Sequence, residues 1–434
     1  MAQLLAELST RWPENQVEPS LTRDRALADL LGDPQFSAPV IHLAGTNGKT
    51  STARMVEALL RAAGLRTGLY TSPHLHHATE RIAIDGEPID DETFLRCWSE
   101  VADFVAMVDA SAGELTWFQV MTAIAFASFA DAPVDVMVLE TGLGGTWDST
   151  NIVTPAVCTL TPMAMDHQSY LGDTLTQVAQ AKAGIITAEG VPVLSAVQAP
   201  EAAAVIEARA AEFSAPLLLA DRDFSLVGRD LAVGGQMLDI QGTAAEYTDV
   251  FLPLHGRHQA QNATLAVATV EQFLGGRALD PQLVRDGLGA ATSPGRLEVL
   301  RTVPTVVGDA AHNPQGTEAL AAALSETFGF DRVVGVVAVL SDKDVEAMLA
   351  ALVPVLDHVV LTSNSSPRCR PPETCAGLAR QMWGEAAVEV VADLPSALEA
   401  AVAEADADLA LSTGVLVTGS VVTVADARTL LGRA

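Results

Sequence analysis

The sequence predicts an α/β protein built as two domains, each carrying a mostly parallel sheet. Three observations lead there. Short apolar runs alternate with helical stretches along the chain, the pattern of a parallel sheet covered by helices on both faces. The chain has 434 residues, 49% of them hydrophobic, which is enough to close more than one core. A Ser-Pro-Gly break at 293–295 interrupts the alternation once, after which it restarts. The expected domains are therefore 1–292 and 293–434.

In chain order, VIHLAG (40–45) is a buried-strand run, followed by a tight turn and a helical stretch over 50–63. TGLYTS is a second short strand, and RIAIDGEPI carries the Asp-Gly signal of a hairpin. Helices are expected near 91–110 and 117–131, then the strand VDVMVLE (134–140), which ends on an acid. AVCTLTP and VPVLSAV are further strands, with the helix TLTQVAQAKAGII between them. LAVGGQMLDIQ reads as an antiparallel hairpin and HQAQNATLAVATVEQFL as an Ala-rich helix over 257–274. TSPGRLE (292–298) reads as a linker. Beyond it TVVGDAAH, RVVGVVAVL, HVVLTSN, VEVV and GVLVTGS are strands, each followed by a helix.

Composition narrows the partners. Acids outnumber bases 54 to 25, for a formal charge of −29, and such a surface repels phosphate backbones and anionic membranes. Neither nucleic acid nor a membrane is expected as a partner. The N-terminus lacks a basic segment before an apolar one, and no apolar run reaches the ~18 residues of a membrane span. The expected location is the cytoplasm, with a monomer as the default. Cys97, Cys158, Cys369 and Cys375 contain no CxxC pair and build no disulfide framework. The basic residues are unevenly divided: only Lys49, Lys182 and Lys343 are lysine, and all the others are arginine.

The first of these lysines sits in a phosphate loop. Gly45-Thr46-Asn47-Gly48-Lys49-Thr50-Ser51 follows a strand and opens a helix. Glycines let backbone N–H groups turn toward an anion, the helix N-terminus adds positive dipole, and Lys49 reaches the outer phosphates. A hydroxyl after the lysine, such as Ser51, suits Mg²⁺. Leu43 stands where the longer GxxxxGK[ST] form has its first glycine, so this is the shorter G-T-N-G-K form. At the end of its strand Glu140 can hold Mg²⁺ directly or through water, or cap the turn that follows.

The motif GTNGKTS resembles the ATP loop of the Mur ligase superfamily. The residues around it are similar to the folylpolyglutamate synthase/dihydrofolate synthase family within that superfamily. Further matches are TSPHL (71–75), ERIAIDGEPI (80–89), LETGLGG…DSTN (139–151), MDHQSYLG (165–172) and KAGI (182–185). HGRHQAQNA (255–263), SPGRLE (293–298), DAAHNP (309–314), SDKD (341–344) and LVTGS (416–420) continue the series, so the likeness covers nearly the whole chain.

The resemblance implies an N-terminal P-loop ATPase domain with a mostly parallel sheet. It adds a smaller C-terminal Rossmann-like α/β domain, with the active site in the cleft between the two. The implied reaction is ATP-dependent amide formation. A pterin or folate carboxylate becomes an acyl phosphate, and the amine of L-glutamate displaces phosphate. ATP and Mg²⁺, as two ions, are the implied cofactors. His167 is implied as a metal ligand beside Ser51 and Glu140. Lys182 is implied to be carbamylated, which turns a cation into an anion able to hold Mg²⁺; this needs a neutral amine, which arginine does not offer.

Asn262, on one helix face with His258, is implied at the adenine side of ATP. Arg296 is implied at the phosphates, Asp309 at the ribose, and His312 at the incoming glutamate or γ-phosphate. Ser72, Pro73, His74 and Arg81 are implied to line the pterin and glutamate pocket, with Lys343 and Arg368 as further cations for anionic groups. Two positions depart from the family's usual pattern. Thr146 stands where an arginine is typical, and Ala181 where a glutamate precedes the lysine. These departures keep open an enzyme of the same class with another acceptor acid, and a nucleotide-binding homologue without catalysis.

Overall fold

The computed structural model describes residues 1–12, 19–407 and 410–433. The chain divides into two compact units. The first comprises Met1–Asp230, Met237–Pro253 and Ala260–Thr292; the second comprises Ser293–Ala434 together with the short segments Leu231–Gln236 and Leu254–Gln259.

The first unit is organised by an eight-stranded sheet. Its strands are β1 (Val40–Ala44), β2 (Thr67–Tyr70), β3 (Ile82–Ile84), β4 (Glu87–Pro88), β5 (Val136–Glu140), β6 (Pro155–Leu160), β7 (Val193–Ser195) and β8 (Leu217–Leu219). They lie in the order β4-β3-β2-β5-β1-β6-β7-β8. The pairs from β2 through β8 are parallel, whereas β3 and β4 attach antiparallel at one edge. Asp85 and Gly86 join β3 to β4 with φ of 52° and 84°, the left-handed pair that closes a tight hairpin.

The central strands β1 and β5 are buried along their whole length, as a strand covered on both faces must be. One face carries the helices Thr22–Leu30, Asp91–Ala112 and Trp117–Asp131, whose core includes Phe94, Val101, Met121, Ile124 and Phe129. Thr116 and Gln119 close a reciprocal cap at the start of Trp117–Asp131. The helices Leu175–Ala183 and Pro200–Glu212 pack with β6 and β7 in a separate cluster around Ile185, Ile186 and Ile206. Helix Lys49–Ala62 meets helix Pro281–Gly289 at Gly287, where a Cβ would come within 2.9 Å of the Leu59 Cα, so glycine permits the close approach.

A three-stranded sheet follows in the chain: β9 (Ser225–Ala232), β10 (Gly235–Gln241) and β11 (Glu246–Leu252), in the order β11-β10-β9. The expected hairpin is β9–β10, and β11 extends it.

The second unit holds a six-stranded sheet: β12 (Glu298–Thr302), β13 (Thr305–Asp309), β14 (Arg332–Val337), β15 (His358–Leu361), β16 (Val388–Val390) and β17 (Thr413–Thr418). The order is β12-β13-β17-β14-β15-β16, parallel except for β12. Helices Pro314–Thr327, Val345–Leu352 and Glu373–Trp383 share one apolar cluster, and Leu394–Asp406 belongs to another. The segment read as a linker therefore runs directly into an edge strand. The stretch 298–302 (EVLRT) alternates for too few residues to stand out, and its antiparallel pairing with β13 supplies the missing information. Among the described residues no helix is long and apolar enough to cross a membrane.

Candidate active site

The loop after β1 emerges between the ends of β5 and β6, the edge of a parallel sheet where ligands bind. Gly45 and Gly48 both have positive φ, 151° and 84°. A Cβ on Gly45 would meet Thr161 Oγ1 at 1.9 Å, and one on Gly48 would meet Asn262 Oδ1 at 2.7 Å. Neither position tolerates a side chain, and Asn262 lies directly against the loop.

Thr46 and Asn47 turn inward. Their N–H groups donate to the Pro162 carbonyl at 2.9 and 3.2 Å. The Thr46 hydroxyl bonds the Ala164 carbonyl and accepts the Ala164 N–H, both at 3.0 Å. These two residues thus tie the loop to the segment after β6. Helix Lys49–Ala62 begins at Gly48, so its first amides have no partner within the helix and face the anion-binding end. Ser51 is buried in that first turn.

The Lys49 amine curls back over the loop, 3.2 Å from the Gly45 carbonyl and 3.3 Å from that of Thr46. Lys182 enters from helix Leu175–Ala183 and is almost fully buried, with its amine 2.6 Å from the same Gly45 carbonyl. Burial, helped by the Lys49 cation, pushes the Lys182 amine down to about 7, against the pull of Asp166 and Asp148. Such an amine is neutral for a large fraction of the time near neutral pH, as carbamylation requires.

Glu140 is buried at the end of β5. Its carboxylate accepts the Thr50 hydroxyl, 2.9 Å from each oxygen, and the Ser72 N–H at 3.3 Å. It therefore links the phosphate loop to the TSPHL segment. Arg54, one helical turn beyond Thr50, is held below its ordinary basicity by burial and is supported by Glu140, Glu80 and Glu57. His167 has a left-handed backbone (φ 52°) at the start of the short helix Gln168–Leu171, and its ring lies 3.8 Å from the Asp166 carboxylate.

In the TSPHL segment the Ser72–Pro73 peptide is cis. Glu80 accepts three successive N–H groups, from Leu75, His76 and His77, at 2.8, 2.9 and 2.8 Å. Burial opposes ionisation of Glu80, but those donors hold its carboxyl below the usual range. Arg81 is buried; its Nε donates to His74 Nδ1 at 2.8 Å and its guanidinium lies 4.4 Å above the Trp117 ring.

The second unit carries its own set. Asp309 ends β13 and is buried; it accepts the Leu297 N–H at 2.8 Å and the Ala311 N–H at 2.9 Å. Burial raises its carboxyl, against the nearby Arg296 cation and those two donors. His312 Nδ1 lies 2.9 Å from the Ala310 carbonyl, so that nitrogen carries the hydrogen. Lys343 is buried, 4.0 Å from Asp342, and Arg368 binds the same carboxylate at 2.7 Å. Burial alone would raise Asp342, but Arg368 and Lys343 bring it below its ordinary value.

Two family models match the chain: the Mur ligase middle domain over residues 43–270, and the Mur ligase glutamate ligase domain over residues 295–421. A dihydrofolate synthase/folylpolyglutamate synthase of Mycobacterium tuberculosis is 49% identical to it, over 98% of this chain and 93% of that protein. The chain belongs to the folylpolyglutamate synthase/dihydrofolate synthase family. Solved structures of the family agree. The Mycobacterium tuberculosis folylpolyglutamate synthase complexed with ADP matches with a TM-score of 0.96 and 47% identity, over 100% of this chain and 98% of that one. A complex of folylpolyglutamate synthase with AMPPCP and folate matches with a TM-score of 0.86 and 32% identity, over 99% of each chain.

Thr146 and Ala181, the two positions singled out in the sequence, meet in space. The Thr146 N–H and hydroxyl both donate to the Ala181 carbonyl, at 2.9 and 3.1 Å. Sequence reasoning passed over Arg54, Asp148, Asn151 and Trp117. For Arg54 the signal was its spacing of four from Thr50, which puts both on one helix face. Asp148 and Asn151 lay inside the quoted DSTN motif but had no partner assignable from sequence. Among the described residues no cluster of three His, Cys, Asp or Glu side chains forms a ready metal cage. Mg²⁺ needs none, because it is commonly held by one or two carboxylates, waters and substrate phosphates.

Proposed function

We propose that the chain is an ATP-dependent ligase that joins L-glutamate to dihydropteroate, to the γ-carboxylate of reduced folates, or to both. The acceptor carboxylate takes the γ-phosphoryl group to become an acyl phosphate, and the glutamate amine displaces phosphate. The observation that carries this reading is the buried Lys182 amine, 2.6 Å from the phosphate-loop carbonyl of Gly45 and lowered to about 7, in a chain of this family.

Each part of phosphoryl transfer has a candidate. The amides at the start of helix Lys49–Ala62 and the Lys49 amine receive the phosphates, and Asn262 lines the loop beside Gly48. The neutral Lys182 amine adds CO₂ through its lone pair and releases a proton, leaving an anionic carbamate. Ser51, Glu140, His167 and that carbamate would hold two Mg²⁺ ions. When bound, Mg²⁺ neutralises charge on the transferring phosphoryl group. Ser72, Pro73, His74 and Arg81 shape the acceptor pocket. Arg296, Asp309 and His312 serve the nucleotide and the incoming amine, while Lys343 and Arg368 serve the carboxylates of glutamate. We read residues 1–292 and 293–434 as the two catalytic domains of a monomer.

The test is a turnover assay with ATP, Mg²⁺ and L-glutamate, run with dihydropteroate and with tetrahydrofolate in parallel. Acceptor-dependent phosphate release is expected with at least one. No release with either acceptor overturns the reading.

A further inference from the structure

The segment LETGLGG…DSTN contributes Glu140 to the proposed site, and its second half has no assigned role. That half, Gly142–Asn151, is folded around Asp148. The Asp148 carboxylate accepts the Leu143 N–H at 2.9 Å, the Thr150 N–H at 3.0 Å and the Thr150 hydroxyl at 2.6 Å. Because the Thr150 hydroxyl donates its hydrogen to Asp148, it accepts from His42 Nε2 at 2.8 Å. His42 is fully buried in β1, and burial keeps its ring neutral by lowering it to about 3. The loop is thus bolted to the strand that delivers the phosphate loop.

The opposite side of this loop grips the end of the Lys182 helix. Asn151 is buried, and its side chain lies 3.2 Å from the Thr146 carbonyl and 3.1 Å from the Gly184 carbonyl. Both partners only accept, so the group facing them is the Nδ2 donor. Thr146 adds its two bonds to the Ala181 carbonyl. Gly184 is packed so closely that a Cβ there would come 2.7 Å from the Thr146 Cα. Ala181 and Gly184, which flank Lys182 in the chain, are therefore both fixed by residues of one loop. The contacts close a circuit that starts at His42 on β1 and runs through Thr150, Asp148, Asn151 and Gly184 to Lys182. It returns at Gly45, the residue that follows β1, where Lys182 bonds the carbonyl at 2.6 Å.

We propose that Asn151 is a positioning residue for Lys182, its carboxamide coupling the loop to the helix end so that the lysine amine stays on the phosphate loop. The Asn151 carboxamide donates to two backbone carbonyls of this chain, so its effect on the reaction would run through Lys182. The inference rests on the carbamate reading of Lys182 given above.

The experiment compares wild type, Asn151→Ala and Gly184→Ala, the last pushing the same contact from the helix side. Each chain is given ¹³C-bicarbonate with Mg²⁺ and a non-hydrolysable ATP analogue, and ¹³C at Lys182 is read by NMR. Far-UV circular dichroism reports whether the fold is kept. The labelled carbamate is expected to fall at least about fivefold in both variants. The kcat is expected to fall about tenfold with KM for ATP within about twofold, as for a misplaced catalytic group. In a Lys182→Ala chain rescued by acetate, Asn151→Ala is expected to cost less than about twofold more, because nothing is left to position. Equal labelling of wild type and variants, or an equal loss in the rescued background, overturns the inference and leaves the carbamate reading standing. Absence of label on the wild type overturns both.

Discussion

The amines of Lys49 and Lys182 converge on one acceptor, the Gly45 carbonyl, at 3.2 and 2.6 Å. They come from helices that begin more than a hundred residues apart in sequence. Burial disfavours the charged form of Lys182, and the Lys49 cation beside it adds repulsion. Lys182 is therefore the amine whose proton is loosely held, while Lys49 is the proposed partner of the phosphates. A chain that uses arginine almost everywhere has kept lysine at both places.

Exchanging Lys182 tests whether the amine matters beyond its charge. Lys182→Arg keeps a cation but has no amine to carbamylate. Turnover is expected to fall about a hundredfold or more, the scale of losing a metal-orienting group. Lys182→Ala is expected to regain part of its activity when acetate or formate supplies a small carboxylate. Wild-type turnover in Lys182→Arg, measured by phosphate release, would show that the metal role is wrong.

The same lysine predicts a pH dependence of stability. Its amine lies at about 7 in the folded chain against an ordinary 10.5. Between those two values the unfolded chain binds more protons than the folded one, so stability rises with pH by up to about 1.4 kcal/mol per unit. Below about pH 7 both states hold the proton and the contribution levels off at its least favourable value. Denaturation midpoints in CO₂-free buffer should therefore show wild type gaining on Lys182→Met from pH 7 to 9. A constant difference between the two chains would contradict the lowered amine.

The phosphate loop was legible in the sequence because its glycines, Lys49 and the hydroxyls after it stand in a fixed local order between a strand and a helix. The parallel strands were legible because β1, β5 and β14 are continuous apolar runs. The brace around Lys182 was not. Asn151 bonds Gly184, and His42 bonds Thr150 across 108 positions, and such pairings are set only once the sheet has closed. The helix Pro200–Glu212 was missed for another reason: PEAAAVIEARAAE is so rich in alanine that its buried stripe of Ala202, Ile206 and Ala210 barely departs from its exposed face.

Gly48→Ala tests the loop geometry. The position has φ of 84°, and a Cβ would press on Asn262 Oδ1 at 2.7 Å. A non-glycine residue in the left-handed region costs about 1–3 kcal/mol when its surroundings do not yield. The loop is expected to shift away from Asn262, weakening binding of an ATP analogue at least about tenfold by calorimetry. Acceptor binding, proposed for the TSPHL segment, should change little. Unchanged nucleotide affinity would mean that neither the turn nor the contact with Asn262 shapes the nucleotide site.

Arg81 offers the sharpest test of the proposed acceptor pocket. Its guanidinium performs two tasks at once: Nε donates to His74 Nδ1 at 2.8 Å, and the flat face rests 4.4 Å above the Trp117 ring. The His74 ring also lies near that indole, 6.2 Å between centroids. Lysine keeps the charge but has no planar face and no fixed fork of donors, so Arg81→Lys releases His74 from its orientation. KM for dihydropteroate or tetrahydrofolate is expected to rise about tenfold while KM for ATP stays within about twofold, the signature of lost acceptor binding. Trp117→Phe, which keeps a ring without the indole, should give a smaller rise in the same parameter. Equal increases in both KM values would place the effect in the fold as a whole rather than in the pocket built by His74, Arg81 and Trp117.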